Sequence, residues 1–159
     1  MDTVLREGLQ RHGQGEKTDS ASKEADNFLD SRLPSELASK GVGRQSVVYG
    51  YLSSDGKLVD IRSGAPIDIG DFASRRELTL LRMTVDSELC YVSDLNLYDR
   101  VKDAVQSAKP DEALDEYAEH YWANVVPLDT YEPGQHRRPE VLIAGDVRPD
   151  DIEVAWLNR

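Results

Sequence analysis

Residues 46–52 read SVVYGYL, residues 53–56 read SSDG and residues 57–61 read KLVDI. The first run is β-branched and aromatic, which suits a pleated, half-buried surface. The last run alternates apolar and polar positions, and Asp55-Gly56 between them offers the positive φ that a tight turn needs. Together they predict an antiparallel hairpin. Period two puts Tyr49 and Tyr51 on one strand face, where they form either a stacking platform for a ring or ordinary half-buried strand aromatics.

Working outward, residues 25–41 carry Phe28, Leu29, Leu33, Leu37 and Ala38 at helical spacing and predict one or two helices. Pro34 suits the first turn of the second, and Gly41 suits its stop. Residues 12–24 are polar and predict a flexible loop. Residues 3–11 predict a short helix. Downstream, residues 62–74 read as a loop with an apolar patch at 66–69, followed by strands at 77–85 (ELTLLRMTV) and 89–92 (LCYV). Two helices come next. Leu97, Val101, Ala104, Val105 and Ala108 share a face of the first, capped by Asp94 or Asn96. Leu114, Tyr117, Ala118, Tyr121, Trp122 and Val125 share a face of the second, capped by Asp111. After a loop at 133–139, strands are expected at 140–144 and 152–157. Helices mixed irregularly with strands predict an α+β fold, one domain over residues 1–159 with a mixed sheet.

Composition narrows the function classes. The hydrophobic share is 39%, enough for one core, and no apolar run approaches the ~20 residues of a membrane helix. The N-terminus has no basic segment followed by an apolar stretch, and Cys90 is the only cysteine. A reducing, cytoplasmic location is therefore expected. Net charge is −11, with 18 Asp among 30 acids and 6 Lys among 19 basic residues. Such a balance is either a halophilic surface, whose self-repulsion concentrated salt screens, or an ordinary acidic one. It argues against an unaided, non-specific grip on nucleic acid.

Few residues point to chemistry. His12, His120 and His136 lack paired ligand spacing, and residues 94–103 lack the Gly and Glu of a calcium loop, so no metal site is predicted. Asp146, Asp150, Asp151 and Glu153 read as a solvated acidic turn, and Cys90 as a buried thiol. Trp122 reads as core. Glu140 stands out: it opens the apolar strand EVLIA directly after the basic loop that holds Arg137 and Arg138. A sheet can hold such a carboxylate rigid at the mouth of a strand while the loop meets a substrate.

The segment from Tyr121 to Leu157, YWANVVPLDTYEPGQHRRPEVLIAGDVRPDDIEVAWL, resembles the C-terminal part of DarT-type ADP-ribosyltransferases, toxins that modify DNA bases. The likeness lies in Trp122, the basic loop His136-Arg137-Arg138, the strand opening at Glu140, the turn Val147-Arg148-Pro149 and the final strand from Ile152. VLREGL at residues 4–9 is similar to the family's first helix, and SVVYGYL to the strand after its variable loop, with Arg44 just upstream. The resemblance implies an ADP-ribosyltransferase-like fold and NAD as substrate. It implies Glu140 and Arg44 as catalytic residues, with Arg44 also steadying the pyrophosphate or acceptor, and Tyr49 flanking the nicotinamide ring. It further implies a nucleic-acid acceptor met by the Arg137-Arg138 loop, an antitoxin partner and no membrane association. The family's His-bearing strand stands before its first helix and has no counterpart here. This departure implies a truncated start, a differently built nicotinamide site or a non-catalytic member. Alternative expectations are an acidic interaction or accessory domain, and an RNA 2′-phosphotransferase-like enzyme, to which VLREGL is also similar.

Overall fold

The computed structural model describes residues 6–8, 19–76 and 79–156. In chain order its elements are α1 (Ser20–Ser31), α2 (Ser35–Ser39), β1 (Val48–Gly50), β2 (Ser53–Ser54), β3 (Lys57–Val59), β4 (Pro66–Asp68), α3 (Ile69–Arg76), β5 (Leu80–Met83), β6 (Cys90–Asp94), α4 (Leu95–Gln106), α5 (Asp111–Ala123), β7 (Val126–Pro127), β8 (Pro139–Ile143) and β9 (Ile152–Trp156). They form one α+β domain.

The centre is a four-stranded sheet in the order β1-β8-β6-β7. One of its two inner strands, β8, is mostly apolar on both faces because both are covered. Leu142 joins Tyr91 in a core beneath the helices, with Leu29 of α1, Val101 of α4, and Tyr121 and Trp122 of α5. Val141 and Ile143 point the opposite way, into a second core with Val48 and Cys90, against which Leu81 and Met83 of β5 pack. The register aligns Tyr49 with Leu142, Tyr91 with Leu142 and Ser93 with Glu140, so Glu140 and Ser93 share the helix-covered face.

The sheets are not mixed as expected: among the described residues every pairing is antiparallel. The chain returns from β6 to β7 through a pair of helices rather than the single crossover helix of a parallel unit. Nor do the strands form one system. β5 and β9 make their own two-stranded ladder, and β2, β3 and β4 a three-stranded one.

Local differences have local causes. Helix α1 begins at Ser20, inside the expected loop, because Asp19 accepts a hydrogen bond from the Ala21 amide at 3.1 Å and caps it. Residues 12–18 of that expected loop lie outside the described residues, as does most of the helix expected at 3–11. Of that helix, Arg6 and Glu7 are helical, and Gly8 takes φ 78°. The Asp55-Gly56 turn forms with φ 52° and 73°, yet β3 pairs with β2, while β1 pairs with β8. The loop expected at 62–74 contains β4 and α3 instead, anchored by the buried Phe72 and Ala73. On α5 the N-cap position is Pro110, with Asp111 in the first turn, and Tyr117 is exposed. Among the described residues no helix is long and apolar enough to cross a membrane.

Candidate functional site

Arg44 is the hub. It starts a 3-10 turn, Arg44–Ser46, whose first amides are held by the Asp30 carboxylate at the end of α1: Arg44 N at 2.7 Å and Gln45 N at 3.0 Å. That anchor directs the side chain inward, beneath the helices, where only 3% of it is exposed. Its Nε donates to Asp26 Oδ1 at 2.8 Å. Its Nη1 donates to the Tyr121 hydroxyl at 2.6 Å and to Glu140 Oε2 at 3.0 Å. Tyr98 stacks on the guanidinium, 3.9 Å from its carbon to the ring centroid, and the rings of Tyr49 and Tyr121 stand at 5.0 and 5.7 Å. The Tyr49 hydroxyl donates to the Arg44 carbonyl.

The electrostatics follow from this packing. Burial opposes the charge on Arg44, but the surrounding Tyr121, Glu140, Tyr49 and Tyr98 more than offset it, and the group stays protonated far into the alkaline range. Burial pushes the phenols of Tyr49, Tyr98 and Tyr121 up, against the pull of the nearby guanidinium. All three are therefore neutral near pH 7. Ser93 Oγ is fully buried without a hydrogen bond of normal geometry, yet lies near enough to Tyr121 to temper that rise.

Glu140 is 15% exposed and, like the half-buried Tyr49, reaches toward solvent, whereas Arg44 and Asp26 are buried. It lines an open cavity of about 320 Å³ with Tyr49, Tyr98, Leu95, Ser22, Asp19 and Arg44. Two aromatic rings and two carboxylates thus converge on one concavity, Glu140 bonded to the Arg44 guanidinium and Asp19 to Lys102. Two larger hollows differ from it. One, of about 540 Å³, lies beside Leu37 and also gathers Tyr91, Trp122 and the Arg32–Asp115 pair, but that pair is exposed where Arg44 is buried. The other, of about 430 Å³, is walled mainly by apolar residues of β1, β5 and β8.

The structure therefore brings Arg44, Tyr49 and Glu140 together. Strands β1 and β8 are hydrogen-bonded neighbours, so the cavity sits on the sheet's helix-covered side rather than in a cleft between the two strands. Arg44 is enclosed by its partners and does not present a fork to an outside phosphate, because Nε and Nη1 are already engaged. Tyr51 falls beyond the end of β1 and meets Phe72 edge-on at 5.4 Å, so it forms no platform with Tyr49. Arg138 bonds Asp99, the Ile61 carbonyl and Asn96, which fixes the loop instead of offering that cation to an acceptor. Arg137 is exposed. Trp122 donates to the Leu29 carbonyl at 2.9 Å and is core. Cys90 is buried, and burial raises its thiol. Asp151 pairs with Arg148 and Glu153 with Arg82. Among the described residues no His, Cys, Asp or Glu group is arranged to hold a metal.

Three members of the cluster escape a reading by residue type alone: Asp26, Tyr98 and Ser93. The signal for Asp26 is a charge inside the buried stripe of α1, next to Ala25 and a turn before Leu29. For Tyr98 it is a place on the Leu95–Val101 face of α4. No family model, curated protein or solved structure matches the chain.

Proposed function

We propose that this chain is an ADP-ribosyltransferase-like domain that uses NAD as substrate, with Glu140 as the catalytic carboxylate. The observation that carries the reading is Glu140, half-sheltered at the edge of an aromatic-walled cavity and held from behind by a buried arginine. The cavity is at the small end of ligand pockets, which run from about 300 to 1,000 Å³. It suits a pyridinium and its ribose, with the rest of the dinucleotide along the open surface. In the reaction the bond from the ribose anomeric carbon to nicotinamide breaks, and its electron pair leaves with nicotinamide. The carbon becomes oxocarbenium-like, and an acceptor nucleophile bonds to it and gives up a proton. A fixed carboxylate beside that carbon stabilises charge that develops only in the transition state. Tyr49 and Tyr98 would flank the ring, and Arg44 would hold Glu140 rather than a phosphate. A nucleic-acid acceptor and an antitoxin partner follow from the sequence resemblance and belong to the same proposal. The enclosed guanidinium weighs against an RNA 2′-phosphotransferase, which needs cations open to phosphate.

A second reading, an interaction domain without turnover, is favoured by one observation. A buried Asp26–Arg44 pair also serves to lock a core without any chemistry. Release of nicotinamide from NAD by the full chain, with and without single-stranded DNA or RNA, separates the two. Turnover is the expected result, and none under any condition favours the interaction domain.

A further inference from the structure

Asp26 is a charged residue among the buried side chains of α1, and its carboxylate meets Arg44. Its side chain is 2% exposed, on the inner face of α1, where an apolar residue would cost nothing to bury. A carboxylate so placed is costly unless it is paired and hydrogen-bonded. Here it takes the Nε edge of Arg44, while Tyr121 and Glu140 share Nη1 and Tyr98 covers a face of the guanidinium. A guanidinium bonded through Nε and Nη1, with the Tyr98 ring packed 3.9 Å from its carbon, is restrained from rotating. Its hold on Glu140 is then fixed in direction as well as in distance.

We infer that Asp26, with Tyr121, is a positioning residue that acts through Arg44 to fix the Glu140 carboxylate at the cavity. Arg44 grips Oε2 and leaves Oε1 outside its own bonds. One oxygen is anchored while the residue lines the cavity, an orientation that a freely rotating Glu could not maintain. The kinetic consequence rests on the reading of Glu140 as the reacting carboxylate, while the structural consequence does not.

Two measurements on the full chain test this. In the first, the protein is labelled with carbon-13 at glutamate side-chain carboxyls, and the Glu140 signal is identified by its loss in Glu140→Gln. Asp26→Asn keeps an acceptor for Nε and removes the charge, and Tyr121→Phe removes one hydroxyl and leaves the ion pair. Both should move or broaden the Glu140 signal while leaving the other glutamates in place. An unmoved Glu140 signal in folded Asp26→Asn overturns the inference, and Tyr121→Phe decides it in the same way should Asp26→Asn not fold. In the second, kcat for nicotinamide release should fall on the order of 10–10²-fold in each variant, because small misplacements of a reacting group are costly, with KM for NAD nearly unchanged. In a Glu140→Gln background, Asp26→Asn should add no further loss. An equal loss in that background, or a loss carried by KM, shows a general structural role and overturns the inference. A wild-type protein that releases no nicotinamide defeats the proposed function, and the carboxyl signal still decides the positioning role.

Discussion

Asp19 does two things at once: it caps α1 and accepts from Lys102 of α4 at 2.5 Å. The Lys102 hydrogen bond, then that from Ser22, lowers its carboxyl from 3.8 to about 2. Because the folded value lies below the unfolded one, the contribution to stability is whole above about pH 4. It is lost as the pH falls through about 2, where the folded form takes up the proton as well. Melting temperatures of wild type and Asp19→Asn should therefore differ near pH 6 and converge toward pH 2, and a constant difference would contradict the assignment. The site residues themselves were unequally legible. Glu140 stands out because a charge opens an apolar strand, Tyr49 because it lies in a strand with a clear pattern, and Arg44 only through the family resemblance. Asp26 and Tyr98 become informative only when α1 and α4 meet over Arg44, since what distinguishes them is a contact between helices distant in sequence. The role expected for Arg44 changes for the same reason: nothing local to residue 44 reveals that its guanidinium is enclosed.

Helix α5 supplies the floor beneath the site, with Tyr121 touching Arg44 and Trp122 filling the core next to it at 4.9 Å between ring centroids. Trp122→Ala removes that ring and one of the donors to the Leu29 carbonyl, which keeps the Arg32 amide, so the variant should lose about 3–5 kcal/mol of stability, chiefly from lost packing. A thermal melt within error of wild type would show that the ring is dispensable. Elements with a strong period, such as α4, α5, β6 and β8, were readable because their apolar positions repeat at the spacing of the structure they form. Helix α3 was not, since Gly70 and Asp71 weaken any local signal. Its place is set by tertiary contact: Phe72 is buried, and Gly70 lies so close to Trp156 that an added Cβ would sit 3.0 Å from the ring. The hairpin turn was legible from Asp55-Gly56, whereas the partner of β1 was not, because edge-to-edge pairing with β8 is decided about ninety residues away.

At the scale of the whole molecule, the net charge of −11 sits on a surface whose self-repulsion favours expansion. If this is a halophilic adaptation, the melting temperature should climb markedly from low salt to molar potassium chloride, as the screening length shrinks to about 3 Å. A flat or falling curve would speak for an ordinary acidic protein. The α+β class and the single domain were legible from the order of elements. The division into three antiparallel sheets was not, because sequence patterns give strands but not their partners. What the fold sets at this cavity is the Glu140 carboxylate, bonded to a buried cation and flanked by two aromatic rings. The most direct test compares nicotinamide release from NAD by wild type and by Glu140→Gln, which keeps shape and deletes charge. The expected result is turnover by the wild type, a loss on the order of 10²–10³ in kcat for the variant, and little change in NAD affinity by calorimetry. Equal turnover by the two proteins would contradict it.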